Sequence, residues 1–320
     1  MTLTTYKKGY TMKSKHALKT VILTFICLLI APVAVAMQKH KRHRGNMPTE
    51  QLCNAAVECD LDALRTHLAA GGNPTASILP SRQSALHLIL ENSWEAETAI
   101  IEGLRLLLKF ARTPDPKDEN DQTPLHYAAA RGSLKATRIL LQAGANPNTC
   151  CLTREATTPL QIVSRRERRL GRSFMTYSDT GQDDQIAQYL IAAGAKPNAK
   201  VDEYPLANAI FFRKAGVARA LLNGGANMHI KHSDGTPLLH LAAKQFDEAT
   251  THLLLEKDVD TTTLDDRHQT ALQASPAIQS SAYLSDFALS FRITRALLES
   301  GAKIEEKSTE LWTQQPPKKM

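Results

Sequence analysis

The feature that most constrains this chain is recurring punctuation: triplets of the Thr-Pro-Leu kind that can open a helix alternate with Gly-Ala or Gly-Gly pairs that can close one. The clearest copy is residues 118–149, DENDQTPLHYAAARGSLKATRILLQAGANPNT. Thr123 can cap a helix through its hydroxyl, and Pro124 suits the first turn, where its missing N–H has no partner to lose. Leu125, Ala128 and Ala129 then make an apolar face of small residues, and Gly132 supplies the left-handed termination that only glycine adopts cheaply. Leu134, Ile139, Leu140 and Leu141 give a second helix its core side, and Gly144 ends it. The segment predicts an antiparallel helical hairpin.

Other segments repeat the pattern with substitutions. Leu52 to Thr75 ends in Gly71-Gly72-Asn73-Pro74, and Ser84-Ala85-Leu86-His87 opens a unit whose end, at Asp115-Pro116, has lost its glycine. Thr158-Pro159-Leu160 pairs with Gly194-Ala195-Lys196-Pro197-Asn198, and Tyr204-Pro205-Leu206 with Gly225-Ala226-Asn227. Thr236-Pro237-Leu238-Leu239-His240 opens another unit with one residue of register ambiguity, and Thr270-Ala271-Leu272 leads to Gly301-Ala302. The threonines are 35 residues apart from 123 to 158 and 34 from 236 to 270. The gap of 78 from 158 to 236 holds two units, one carrying an insertion.

In Thr123-Pro124-Leu125-His126 and Gly144-Ala145-Asn146-Pro147-Asn148 the chain resembles the ankyrin repeat family, whose period is about 33 residues. The resemblance implies an all-α solenoid of about seven helix-turn-helix units with short hairpin loops. We place them at about 50–75, 76–117, 118–149, 150–199, 200–231, 232–264 and 265–305. Insertions near 165–182 and 276–290 read as loops, the second as a cap on the open end. Residues 37–49 and 306–320 read as disordered tails, the first basic. The 320-residue length would suggest two domains, but an array grows by adding units rather than cores. With 42% hydrophobic and only 5% aromatic residues, the core must come from Ala and Leu, which suits closely packed short helices.

Residues 12–36, MKSKHALKTVILTFICLLIAPVAVA, read as a secretory signal peptide. Lys13, Lys15 and Lys19 precede an apolar run from Val21 to Ile30, Pro32 breaks it, and Ala34-Val35-Ala36 offers the small residues of a cleavage site. Cleavage is expected between Ala36 and Met37, and Met12 could be the true start. The apolar run is about half the ~20 residues of a spanning helix. No stable membrane insertion is therefore expected after cleavage, and the mature chain is expected in the periplasm or outside the cell. The formal charge of +7 follows from the same division. Residues 1–36 hold five lysines and no acid, so removing them leaves 34 basic against 32 acidic residues. Four of those basic residues crowd into Lys39-His40-Lys41-Arg42-His43-Arg44, and the remainder is slightly acidic. Charge therefore does not argue for nucleic acid.

Oxidising export would make cysteines matter. Cys53 and Cys59 fall on one short helix where they cannot meet, and Cys150 and Cys151 are adjacent, so no obvious disulfide pair arises. No residue pattern builds a catalytic triad, a phosphate loop or a zinc site. His40 and His43 supply only half a tetrahedral site. No catalytic residue, metal or cofactor is expected. The resemblance implies that His126 and His240 hydrogen-bond between neighbouring loops.

The same resemblance implies that loop tips and the last exposed positions of each first helix form a concave partner-binding groove. Carried onto this sequence, its centre is Arg131, Arg165, Arg166, Phe211, Phe212 and Lys244, a basic floor with an aromatic pair, joined by the fingertip residues Glu119, Asn120 and Gln122. Arginines and aromatics are the residues most often found as binding hot spots, and the cations would favour a protein or peptide with acidic segments. Acidic fingertips at Asp118, Glu119, Asp121, Asp202, Glu203, Asp265 and Asp266 would repel a phosphate backbone. The leading expectation is an exported, non-enzymatic scaffold that binds a protein or peptide. The rivals are a secreted effector acting on a host or competitor cell, a membrane-tethered scaffold, and an enzyme built on the insertions.

Overall fold

The computed structural model describes residues 47–92, 96–152, 157–165, 182–200, 203–245, 247–275 and 284–302. The leader, Ala36 and Met37, Arg166, Asp202, most of the first insertion and the C-terminal tail lie outside the described residues. Thirteen helices stand among them, paired along the chain. The pairs are α1 (Met47–Glu58) with α2 (Leu61–Ala69), α3 (Ala85–Glu91) with α4 (Glu97–Phe110), and α5 (Pro124–Arg131) with α6 (Leu134–Gln142). Next come α7 (Pro159–Arg165) with α8 (Asp183–Ala192), α9 (Pro205–Phe211) with α10 (Ala215–Asn223), and α11 (Leu238–Lys244) with α12 (Glu248–Leu255). The last is α13 (Leu284–Glu299).

The punctuation acts as expected. Thr123 is the N-cap of α5 with Pro124 behind it, and Gly132 closes that helix at φ 71°, ψ 29°. Gly144, after α6, has φ 87° with nothing within 4 Å of an added Cβ, so its requirement is backbone conformation rather than space. The unit that lost this glycine instead extends its second helix, α4, to 14 residues ending at Phe110.

Two expectations shift at the ends. Helix α1 begins at Met47, inside the stretch assigned to the basic tail, because Met47 to Thr49 continue the helix that buries Leu52 and Cys53. Helix α13 begins at Leu284, inside the stretch read as an insertion loop. In that last unit Thr270 N–H still donates to Gln273 Oε1 (2.9 Å), yet Ala271 to Ala274 form a turn where other units have their first helix.

The first helices pack in one layer, α3 on α5, α5 on α7, α7 on α9 and α9 on α11. The second helices pack in another, from α2 on α4 through α12 on α13. Between the layers, Ala128, Ala129, Ala207, Ala209, Ala242 and Ala243 are fully buried or nearly so, allowing close helix approach, while Leu64, Leu104, Leu140, Leu190, Leu221 and Leu254 fill the space.

Polar bonds join unit to unit. At the ends of the second helices, Asn148 Oδ1 accepts from Lys196 N–H (2.9 Å) and its Nδ2 donates to Gly194 O (2.8 Å). Asn198 repeats both bonds one unit on, to Asn227 N–H (2.7 Å) and Gly225 O (3.0 Å). The preceding position in this ladder is Asp115, whose Oδ2 accepts from Asn146 N–H (2.9 Å).

Candidate partner-binding surface

The expected groove lies where the first helices end and the fingers begin. The fingers at 118–122 and 265–269 are tight turns whose shape the first residue sets. Asp118 is 2% exposed. Its Oδ1 accepts from Asn120 N–H (2.8 Å) and Gln122 N–H (2.8 Å), and its Oδ2 accepts from Tyr127 Oη–H (2.9 Å). Burial, with the Asp118 carboxylate alongside, pushes the Tyr127 hydroxyl up from its ordinary pKa. Asp265 repeats the arrangement, accepting from Arg267 N–H (2.9 Å) and Gln269 N–H (3.1 Å). Glu203, buried too, accepts from Tyr204 N–H (2.8 Å) and Ser233 N–H (2.5 Å). The expectation of an acidic row of fingertips is thus corrected: Asp118, Glu203 and Asp265 turn inward because backbone N–H groups of their own finger, and for Glu203 of the next one, need acceptors. Glu119 and Asp266 remain on the finger surface.

Behind three of the fingers stands a bridging histidine, His87, His126 or His240. His126 Nδ1 accepts from Thr123 N–H (3.1 Å), which places the ring proton on Nε2, and Nε2–H donates to Thr157 O (3.1 Å) of the next finger. His87 does the same between Ser84 and Gln122 O (3.0 Å). Burial holds His87 neutral, its pKa pushed down to about 4. Gln161 replaces the ring in the next unit, its Oε1 accepting from Thr158 N–H (2.9 Å) and its Nε2 donating to Glu203 O (3.0 Å).

His240 donates to Gln269 O (2.8 Å), but its cap position is Pro237, and its buried Nδ1 has no hydrogen-bond partner. That geometry settles the register left open in the sequence: Pro237 holds the threonine's place, and proline has neither the hydroxyl nor the N–H.

The predicted groove residues divide. Arg131 is half-buried, and its guanidinium donates to the carbonyls of Leu90 (3.3 Å) and Asn92 at the end of α3. A cation there complements the helix dipole. Lys244 Nζ lies 3.2 Å from Asp265 Oδ2, a pair that ties α11 to the next finger. Arg165 is half-buried at the end of α7. At the fingertips, Glu119 N–H donates to Ser81 O (3.0 Å), Asn120 O accepts from Leu152 N–H (2.8 Å), and Gln122 O accepts from His87. These three hold adjacent fingers together through their backbones, leaving the Glu119 and Asn120 side chains exposed.

Phe211 and Phe212 are brought together as a T-shaped pair with centroids 5.2 Å apart. Phe211 also stacks on His232 at 5.3 Å, 4° from parallel, yet stays 41% exposed. His232 Nδ1 is 3.0 Å from Asp234 Oδ1, and its Nε2 is 3.9 Å from Glu203 Oε2. The aromatic centre is therefore flanked by carboxylates, not by the cations the sequence suggested. Sequence reasoning missed His232. Its signal was its place at the first finger position, where Asp118 and Asp265 stand. It also missed Lys214, whose Nζ donates to Val163 O (2.7 Å) and pairs with Asp183 Oδ2 (2.7 Å) in a buried joint between units.

Of the four described cysteines, Cys53, Cys59 and Cys151 are buried and Cys150 is exposed. Burial pushes the Cys53 thiol up to about 11, which keeps it protonated and inert. Among the described residues no group of His, Cys, Asp or Glu could hold a metal, and no helix is long and apolar enough to cross a membrane.

Comparison with known proteins agrees with this geometry. Residues 52–150 match the family model described as ankyrin repeats, in three copies. Over 97 residues the chain is 36% identical to a Caenorhabditis elegans protein described as a transient receptor potential cation channel subfamily A member 1 homolog. That stretch is 30% of this chain and only 8% of the relative. Among solved structures, the ankyrin repeat domain of human ASB11 aligns with a TM-score of 0.57 at 21% identity, covering 79% of this chain and 99% of that one. The ankyrin repeat domain of Bcl-3, a member of the IkappaB protein family, aligns at 0.54 and 21% identity, covering 78% and 97%. At this identity the likeness establishes the fold alone: a helical ankyrin-repeat array.

Proposed function

We propose that this ankyrin-repeat chain is an exported, non-enzymatic scaffold that binds a protein or peptide partner at the Phe211–Phe212 surface. One observation carries the reading: Phe211 keeps 41% of its surface open although its ring packs against both Phe212 and His232. An exposed, pre-oriented ring gives contact area at little cost in conformational entropy. The bonds from unit to unit support the same reading, since they form the surface before any partner arrives. An acidic segment of the partner would face Arg131 and Arg165.

Export rests on the residue pattern of 12–36 and on cleavage between Ala36 and Met37. The test is affinity capture from periplasm and culture medium, using the full chain and a variant with Phe211→Ala and Phe212→Ala. A partner held by the first and lost by the second, both folded by circular dichroism, supports the scaffold reading. Equal capture by both would remove the aromatic pair from it. Sequencing the exported chain's amino terminus should give Met37.

A further inference from the structure

The ladder at the ends of the second helices contains one residue of the wrong chemistry. Asn148 and Asn198 each present an amide to the following unit, an oxygen accepting an N–H and a nitrogen donating to a glycine carbonyl. Asp115 holds the same register, three residues before the first finger residue Asp118, as Asn148 stands three before Cys151. Both finger residues give their N–H to the residue just before the next helix cap, Asp118 to Gln122 O and Cys151 to Thr157 O. Asp115 Oδ2 makes the accepting bond, to Asn146 N–H, but its Oδ1 is buried and has no hydrogen-bond partner. By the ladder's register that oxygen takes the place from which Asn148 and Asn198 donate an N–H to a glycine carbonyl, so its counterpart is Gly144 O. A carboxylate oxygen facing a carbonyl oxygen is unfavourable, whereas a protonated carboxyl can donate there as asparagine does.

We propose that Asp115 is a proton-responsive joint between the second and third units: ionised it leaves the ladder half-made, and protonated it completes the bond to Gly144 O. Burial raises its pKa from the ordinary carboxylate value, in the direction this requires. His126, on α5, is the titratable group whose charge acts on it in the opposite sense. Lys117 and Asp118 follow on its own segment. Lys117 faces Asp121 at 3.9 Å, and Asp118 is committed to its finger. The Gly144–Asn148 loop packed opposite carries no titratable side chain. The joint would tighten as pH falls, stiffening the stack between its N-terminal units and the groove.

The experiment compares the full chain with Asp115→Asn and Asp115→Ala by thermal melting and hydrogen exchange from pH 4 to 8. Asp115→Asn should raise the melting temperature near pH 7.5 by about 2–4 °C and slow exchange of the Asn146 amide, with both differences shrinking toward pH 4. Asp115→Ala should speed exchange of that amide at every pH, since it removes the acceptor. His126 is common to all three chains, so its contribution cancels in the differences. An Asp115→Asn chain no more stable than the native one near pH 7.5, or more stable by an amount independent of pH, would overturn the proposal.

Discussion

Single residues decide how well each unit is tied to the next, and position 237 shows this most clearly. In two other units the cap residue gives its N–H to the histidine, with a hydroxyl 2.9 Å from the same ring nitrogen. Pro237 gives neither, leaving His240 Nδ1 buried and unpartnered. Such an unmet group costs about 1–3 kcal/mol, while proline's rigidity returns about 0.4–1 kcal/mol by restricting the unfolded chain. Pro237→Thr should therefore stabilise the protein by about 1 kcal/mol, read as a higher urea midpoint with unchanged slope. An unchanged or lower midpoint would show that His240 finds a partner some other way. The sequence carried the Thr-Pro-Leu-His words but not their alignment at this unit, because Thr236 and Pro237 both fit the pattern within one residue. Only the bond from His240 to Gln269 O resolves it.

At the scale of elements, helix starts and stops were legible and side-chain commitments were not. Thr123, Gly132 and Gly144 act through local backbone chemistry, which a sequence displays directly. Arg131, Lys244, Asp118 and Asp265 read as surface charges, but their partners lie in neighbouring units or in the finger's own backbone, beyond any local pattern. The expected basic floor thus became largely a set of ties between units. The Phe211–Phe212 pair kept its exposed ring because Phe211 and Phe212 sit where α9 ends, before Lys214 turns back into the stack. The start of helix α13 is hidden in the sequence for a similar reason, since residues 284–290 lack the punctuation that marks the other helices.

For the molecule as a whole, a stack whose units contact only their neighbours has a stability built from interface terms, and several of those interfaces include a buried histidine. His87 is held neutral by burial down to about pH 4, against 6.5 for a free imidazole, and burial lowers His240 as well. Below pH 6.5 the unfolded chain takes up protons that folded His87 refuses. The stability it contributes is therefore complete above about pH 6.5 and is lost as pH falls toward 4, by on the order of 3 kcal/mol. Urea midpoints should drop across that window. His87→Gln should flatten the drop while keeping the bridge, because Gln161 already bridges in the same way in the unit that follows His126. Asp115 runs the other way, offsetting some of the loss.

The central claim is that the partner meets the open face of Phe211 and Phe212. The most direct measurement places a photo-crosslinking amino acid at Phe212 in one chain and at exposed Gln142, on the second-helix layer, in another. One partner protein should crosslink from position 212 and not from 142. Crosslinking from 142 with none from 212 would contradict the claim.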